Sequence, residues 1–132
     1  LMTKVRGYIF SRSFMGERTP QSIQNLVIRN FCIKNNLHYN LSASEYAMPN
    51  SQKILDQIIE EIKNLDGIVA YSIFQLPEDN NKRYKVLRKM IKKKKSFYFA
   101  LENMKLIKKK DLNTIENIWR LKKTLPNCLK KL

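Results

Sequence analysis

The sequence predicts an α/β fold, a three-layer α/β/α arrangement around a four-stranded parallel sheet of order 2-1-3-4. The length of 132 residues fits one domain. An apolar fraction of 43%, with six Phe and six Tyr, is enough to bury a core. Strand and helix patterns alternate along the chain, and such alternation favours right-handed crossovers between parallel strands, with helices on both faces.

The first strand signal is Val5–Phe10, a short β-branched and aromatic run. Thr19 then fits a helix N-cap and Pro20 the first helical position, where its missing N–H costs nothing. Apolar residues at helical spacing extend this helix to about Asn36. The run Leu37–Leu41 alternates in polarity and predicts the second strand.

The second helix has the clearest amphipathic pattern, from a cap at Asn50 or Ser51 to Leu65. Asp66-Gly67 breaks it. The nearly continuous apolar run Ile68–Phe74 then predicts a central strand that is buried on both faces, which Leu76-Pro77 ends.

The third helix, Asn81–Ile91, is basic, and its predicted inward residues are Tyr84, Leu87, Met90 and Ile91. Ser96–Leu101 predicts the fourth strand, and a lysine-rich link follows it. Asp111 caps a last helix, which Pro126 is expected to end. We therefore expect an α/β domain over residues 1–103 and a basic C-terminal helix and tail, residues 104–132, packed on the same domain.

The positive charge is concentrated in the second half of the chain. The formal net charge is +15; residues 1–66 carry 8 Lys+Arg and 6 Asp+Glu, whereas residues 67–132 carry 18 and 5. The excess is mostly lysine, which is a hydrated point charge rather than a fixed fork. Two explanations stay open: a functional basic face, or an AT-rich genome that raises the Lys and Asn content.

Several classes of protein are disfavoured. No apolar run approaches the roughly 18–20 residues that span a bilayer, and no signal-peptide pattern opens the chain, so we expect a cytoplasmic protein. Two cysteines are too few for a disulfide framework, and Cys32 fits the apolar face of the first helix. His38 is the single histidine and lies inside a strand, so we expect no metal site, no cofactor and no Ser/His/Asp or Cys/His triad.

Ligands of open parallel sheets bind outside the carboxyl ends of the strands, where the strand order reverses. The loops after strands 1 and 3 flank that point. The candidate ligand-binding residues in or beside these loops and the loop after strand 2 are Arg12, Ser13, Arg18, Gln21, Gln24, Ser44 and Gln75. With the N–H groups that open the first helix, Arg12 and Arg18 predict an anion site. Alternatively, Arg18 pairs with Glu17 or Glu45, and the nearby serines cap the turn.

Acid or base chemistry would need proton carriers at the same edge, and the candidate catalytic residues are Ser11, Glu45 and Tyr46. Structural capping before Pro49 is the alternative for this segment. The chain has only three glycines, so it contains neither the dinucleotide-binding GxGxxG motif nor the Walker A phosphate loop.

Three separate runs, in order, resemble the small bacterial family of sporadic carbohydrate cluster proteins. They are the run from Gly7 to Leu26, the run Leu41–Tyr46, and the run from Asp66 to Pro77. The similarity covers roughly residues 4–103. It implies a role in surface-polysaccharide or nucleotide-sugar biosynthesis but no established reaction.

A more distant resemblance is to the catalytic domain of serine recombinases, which open with a strand ending in an aromatic-x-Arg-x-Ser pattern. Ser11-Arg12-Ser13 does not keep that spacing, and Gln75-Leu76-Pro77-Glu78 stands where the family has Arg-Leu-x-Arg. The resemblance implies a resolvase-like (or, by strand order, flavodoxin-like) fold without strand exchange.

The primary functional prediction is a protein of carbohydrate biosynthesis that binds an anionic sugar, sugar phosphate or nucleotide sugar at the carboxyl edge of the sheet. If it is an enzyme, we expect acid/base chemistry of the isomerase or epimerase type. The alternative is a resolvase-like nucleic-acid-binding module without recombinase activity. Two further partners are compatible with the sequence: an anionic inner-membrane surface and a second copy of the chain.

Overall fold

The computed structural model describes residues 3–16 and 18–130, with side chains described up to residue 124. The strands are β1 (Thr3–Phe10), β2 (Leu37–Glu45), β3 (Gly67–Ala70), β4 (Ser96–Phe99) and β5 (Met104–Leu106). The helices are α1 (Gln21–Lys34), α2 (Lys53–Glu60), α3 (Asn80–Lys92) and α4 (Lys110–Lys130). Short 3-10 turns occupy Ile62–Asn64 and Ile73–Gln75.

The five strands form one mixed sheet of order β2-β1-β3-β4-β5. The first four are parallel to one another, and β5 is antiparallel to β4. The predicted order 2-1-3-4 is confirmed. The prediction of a purely parallel four-stranded sheet is wrong, because the lysine-rich link after β4 turns back through Asn103 and adds β5. The predicted boundary at residue 103 falls between these two strands.

Several element bounds differ from the predicted ones. Strand β3 ends at Ala70, because Ser72 caps a 3-10 turn that takes the rest of the apolar run; its hydroxyl accepts a hydrogen bond from the N–H of Phe74 at 3.1 Å. Strand β2 continues past Leu41 to Glu45 along β1. Helix α4 continues through Pro126 to Lys130; a proline removes one helical hydrogen bond and can bend a helix without ending it.

Two apolar cores lie on opposite faces of the sheet. One contains the inward residues of α2, α3 and α4, with Trp119 1% exposed at its centre. The other contains the inward residues of α1, including the buried Cys32, whose predicted core position is confirmed and whose thiol pKa is raised by burial to about 11. The chain is therefore a three-layer α/β/α structure with three helices on one face and one on the other.

Helix α3 buries two of the four residues predicted to face inward, Leu87 and Met90, and half-buries Ile91. Arg83 is 2% exposed, whereas Tyr84, predicted to be buried, is 40% exposed. Arg83 forms an ion pair with Glu116 of α4 (Nη2–Oε2 2.6 Å), and its guanidinium lies over the Trp119 ring at 4.5 Å from the centroid. Arg83 takes the inward position on α3 that was predicted for Tyr84, so the Tyr84 side chain is exposed to solvent.

No helix among the described residues is long and apolar enough to cross a membrane.

Gly67 opens β3 at a point where the backbone of β4 comes very close. A Cβ at this position would clash with the carbonyl oxygen of Ser96. We expect Gly67→Ala to lower the free energy of unfolding by about 1–3 kcal/mol, the usual cost of overpacking. Urea unfolding followed by Trp119 fluorescence measures it. The control is Ser44→Ala at an exposed position of β2, expected to stay within about 0.5 kcal/mol of wild type. Wild-type stability in the glycine variant would contradict the close approach.

Candidate functional site

Glu45 is the most highly bonded polar residue at the carboxyl edge of the sheet. It ends β2, and its side chain is 1% exposed. Its carboxylate accepts five hydrogen bonds: from the hydroxyls of Tyr8 (2.9 Å) and Ser51 (3.1 Å), and from the backbone N–H groups of Tyr46 (3.0 Å), Ile54 and Leu55 (both 3.2 Å). The last two belong to the first turn of α2, whose N–H groups lack intrahelical partners. The N-cap residue of α2, Gln52, makes no side-chain capping bond, so the Glu45 carboxylate caps this helix from the end of the preceding strand.

The hydrogen bond from Tyr8 fixes the phenol in its protonated form. Burial, followed by the charge of Glu45 and the hydrogen bond to it, raises the pKa of Tyr8 well above its usual range. The phenol is therefore protonated at neutral pH and donates to the carboxylate. This pair joins β1, β2 and α2 below the surface.

Gln24 and Gln75 form a second buried polar group, and both are 0% exposed. The Gln24 amide bonds to both the N–H and the C=O of Phe10, at 3.0 and 2.8 Å, and its oxygen also accepts from the Gln75 Nε2 at 2.7 Å. The Gln75 oxygen accepts in turn from the N–H of Tyr71 at 3.1 Å. The two amides thus bind the end of β1 to the turn after β3.

Arg12 is bonded to the loop after β2. Its guanidinium donates to the carbonyl oxygens of Tyr46 (2.9 Å) and Ser51 (3.1 Å) and lies over the Phe10 ring at 4.1 Å from the centroid. It is half-buried and spans the gap between the β1 and β2 loops.

The remaining candidate residues lie around this edge without forming one cluster. The Ser11 hydroxyl donates to the carbonyl oxygen of Glu45 at 3.1 Å. The side chains exposed to solvent are Ser13, Arg18, Gln21, Ser44 and Tyr46. Helix α1 opens after Pro20 with no side-chain cap.

A crevice of about 280 Å³ lies where the loops after β1, β2 and β3 meet. Of the candidate residues, Arg12 and Ser13 line it, together with Gln52 and Glu78. Gln52 has a buried Oε1 with no hydrogen-bond partner within the described residues. Of the other candidate residues, Ser11, Arg18, Glu45 and Gln75 do not line this crevice.

A separate feature is the solvent face of α3. Besides the paired Arg83, this helix carries five exposed cations and no acidic residue, and they are Lys82, Lys85, Arg88, Lys89 and Lys92. Together with the flanking cations Lys53 and Lys109, they are called here the α3 basic face. The sequence predicts that this helix is basic. Tertiary packing brings its cations beside Lys53 of α2 and Lys109, the residue before α4.

Two grooves flank α3 and share Lys85 and Lys89. One, of about 480 Å³, lies beside the start of α2 and also contains Lys53, Lys82 and the single acid Asp56. The other, of about 510 Å³, lies beside the start of α4 and adds Arg88, Lys92 and Lys109 with no acid. The α3 basic face is therefore continuous across both grooves.

Sequence reasoning missed two polar connections. The Glu102 carboxylate accepts from the Ser72 hydroxyl (2.7 Å) and the N–H of Ile73 (2.8 Å), fixing the turn after β3. The Arg83–Glu116 pair fixes α3 to α4. The one sequence signal for the Glu102 connection is that Glu102 follows directly after a predicted strand. Over the described residues, no group of three His, Cys, Asp or Glu side chains could hold a metal ion.

Comparison with known proteins gives structural matches only. No family model and no curated protein matches the chain. The structure is similar to a resolvase family site-specific recombinase from Streptococcus pneumoniae, with a TM-score of 0.64, 10% identity, and coverage of 96% of this chain and 97% of that one. It is also similar to the N-terminal catalytic domain of the TP901-1 integrase, with a TM-score of 0.57, 12% identity and the same coverages. At these identities the similarity shows the fold, which is resolvase-like.

The cap at Glu45 yields a stability prediction. Glu45→Gln replaces one acceptor oxygen by a donor NH2, so it cannot satisfy all five donors; we expect a loss of about 3 kcal/mol in the free energy of unfolding, for two hydrogen bonds to a charged group. Tyr8→Phe removes a single donor and is expected to cost about half as much. Urea unfolding compares the two. Equal stability of Glu45→Gln and wild type would contradict the capping role.

The raised pKa of Tyr8 yields a pH prediction. The folded-state pKa lies above the unfolded value of about 10, so the stability that Tyr8 contributes is complete below pH 10 and falls as the pH rises further. We expect the stability difference between wild type and Tyr8→Phe to be constant up to about pH 9 and to shrink as the pH rises through 10 to about 11. Unfolding midpoints of both proteins across this range measure it, and a constant difference would contradict the buried Tyr8–Glu45 bond.

Proposed function

We propose that this protein is a nucleic-acid-binding module with a resolvase-like fold that does not carry out strand exchange. The observation that carries the proposal is the α3 basic face, where seven cations, from α2, α3 and the link before α4, surround two adjoining grooves. Among the described residues that line these grooves, Asp56 is the one acid. Nucleic acids are the polyanions whose regularly spaced phosphates match such a surface. The structural similarity to recombinase domains supports the proposal at the level of the fold.

Strand exchange is left out for a chemical reason. A phosphoryl-transfer site stabilises the charge of the transition state with fixed cations aimed at the phosphate. The segment after β3 offers the buried Gln75 and the acidic Glu78 in place of two arginines, and Arg12 already donates to two backbone carbonyls. The loops after β1 and β3 thus offer one further arginine, the exposed Arg18 after β1, where the family pattern supplies two arginines after β3.

The nearest competing partner of a lysine-rich surface is an anionic membrane, since each lysine near it contributes about 1 kcal/mol. The α3 basic face would serve there as well, but its cations surround concave grooves rather than a flat apolar surface. Co-sedimentation with vesicles of phosphatidylserine and phosphatidylcholine separates the two: binding to vesicles but not to oligonucleotides would contradict the proposal.

A second candidate function follows from the crevice at the carboxyl edge. Its walls contain the Arg12 and Ser13 predicted to bind an anionic sugar or nucleotide sugar, and it lies at the predicted strand reversal. Titration calorimetry of nucleotide sugars against wild type and Arg12→Ala tests it. Binding that the substitution abolishes supports this candidate, and equal binding or none contradicts it.

The nucleic-acid proposal predicts a salt-dependent affinity that depends on α3. We expect Lys85→Ala/Lys89→Ala to weaken oligonucleotide binding and to reduce the slope of log K against log salt by about 1 per lysine, because each removes one phosphate contact. Fluorescence anisotropy between 50 and 200 mM salt is the measurement.

The matched control is Arg29→Ala/Lys34→Ala, which removes the same two charges from exposed positions of α1 on the other face of the sheet. We expect this variant to keep the wild-type slope. If the two double variants lose affinity equally, net charge alone accounts for binding and the α3 basic face is not the site.

A further inference from the structure

The groove between α3 and the start of α4 has an apolar interior below a cationic rim. Tyr84, Ile91 and Leu112 line it, and Lys85, Arg88, Lys89, Lys92 and Lys109 surround them. Its volume of about 510 Å³ lies within the range of clefts that hold small organic molecules. Phosphate binding alone would need only the rim, so the apolar interior calls for a second kind of contact.

Tyr84 supplies a flat surface inside this groove. Its side chain is 40% exposed because Arg83, one residue earlier, takes the inward position on α3. The Arg88 guanidinium carbon lies 5.6 Å from the centre of the Tyr84 ring. Arg88 lies over one face of the ring, so the other face is the one on which an unpaired base can stack, as bases do on exposed aromatic side chains.

We infer that this groove binds an unpaired base by stacking on Tyr84, so that the nucleic acid recognised by the α3 basic face is single-stranded. The inference rests on the proposed function and specifies its ligand. The base enters the apolar interior, and the phosphates on either side of it meet the cations of the rim. A stacked base is tolerated whatever its identity, since every base has a π-face.

A duplex does not use these features. Its bases are stacked on one another inside the helix, and only their edges reach the grooves, so the Tyr84 ring would find no base face to contact. The cations would still meet phosphates. Duplex binding is therefore expected to be weaker than single-strand binding and indifferent to the ring at position 84.

The groove offers little that would read the sugar. Among the described residues, its lining holds no carboxylate, amide or serine, and the Tyr84 hydroxyl is the one neutral side-chain group that could accept a hydrogen bond from a ribose 2′-hydroxyl. That hydroxyl is what distinguishes RNA from DNA at a binding site. We therefore expect single strands of the same sequence to bind equally as DNA and as RNA.

The test is fluorescence anisotropy of a labelled 15-nucleotide single strand, as DNA and as RNA, and of the matching DNA duplex. We expect Tyr84→Ala to weaken single-strand binding roughly fivefold or more, the effect of losing one stacked base. Tyr84→Phe keeps the ring and is expected to stay within about twofold of wild type. Duplex binding is expected to be unchanged in both variants. Because Tyr84 is partly exposed and outside the buried core, thermal melts of the variants should match wild type.

A photocrosslink gives an independent readout. A single strand carrying 5-iodouracil is irradiated on the wild-type protein, and the modified peptide is identified by mass spectrometry. Attachment at Tyr84 supports the inference, and attachment confined to other peptides overturns it.

Failure of the inference and failure of the proposed function give different results. The single-strand inference is overturned if the duplex binds as tightly as the single strand, or if Tyr84→Ala leaves the single-strand affinity unchanged. In either case the proposed function stands as long as binding still depends on Lys85 and Lys89. If none of the three oligonucleotides binds, both the inference and the proposed function are overturned.

Discussion

The carboxyl edge of the sheet depends on the burial of the Glu45 carboxylate. A buried charge without partners is far too costly to keep, and this one is retained because five donors converge on it. Two of them are the free N–H groups of α2, which would themselves need partners. The carboxylate thus satisfies a helix terminus, joins that helix to β2, and accepts a hydrogen bond from Tyr8 of the neighbouring strand.

The same requirement governs the rest of this edge. Gln24 and Gln75 satisfy one another and the adjoining backbone, and Arg12 is bonded to two carbonyl oxygens. In open α/β sheets this edge is where ligands usually bind. Here its polar groups mostly stabilise the loops, whereas five exposed cations lie together on α3. The surface proposed to bind a polyanion is therefore a helix face and not the strand ends.

Local patterns were enough to predict the alternation of elements and the order of the first four strands, because hydrophobic periodicity and crossover handedness are local or general rules. Strand β5 was missed because Met104–Leu106 is three residues long beside a lysine cluster, too short for any period. The Gln24–Gln75 bond joins residues 51 positions apart, and no local pattern encodes it. Arg83 was missed because a buried arginine is recognisable only when its partner, Glu116, is known.

The concentration of cations on α3 bears on whether composition bias explains the charge. Five exposed like-charge pairs stand three or four residues apart on this helix, each destabilising by roughly 0.2–0.5 kcal/mol. Three contributions offset that repulsion without removing it. They are the packing of Val86, Leu87 and Met90, the Arg83–Glu116 ion pair, and the attraction between the helix dipole and the cations in the last turn of α3. A bound polyanion would remove it, so binding and the folding of α3 are thermodynamically linked. Composition bias accounts for the number of lysines; it does not account for an acid-free helix between two grooves lined by further cations.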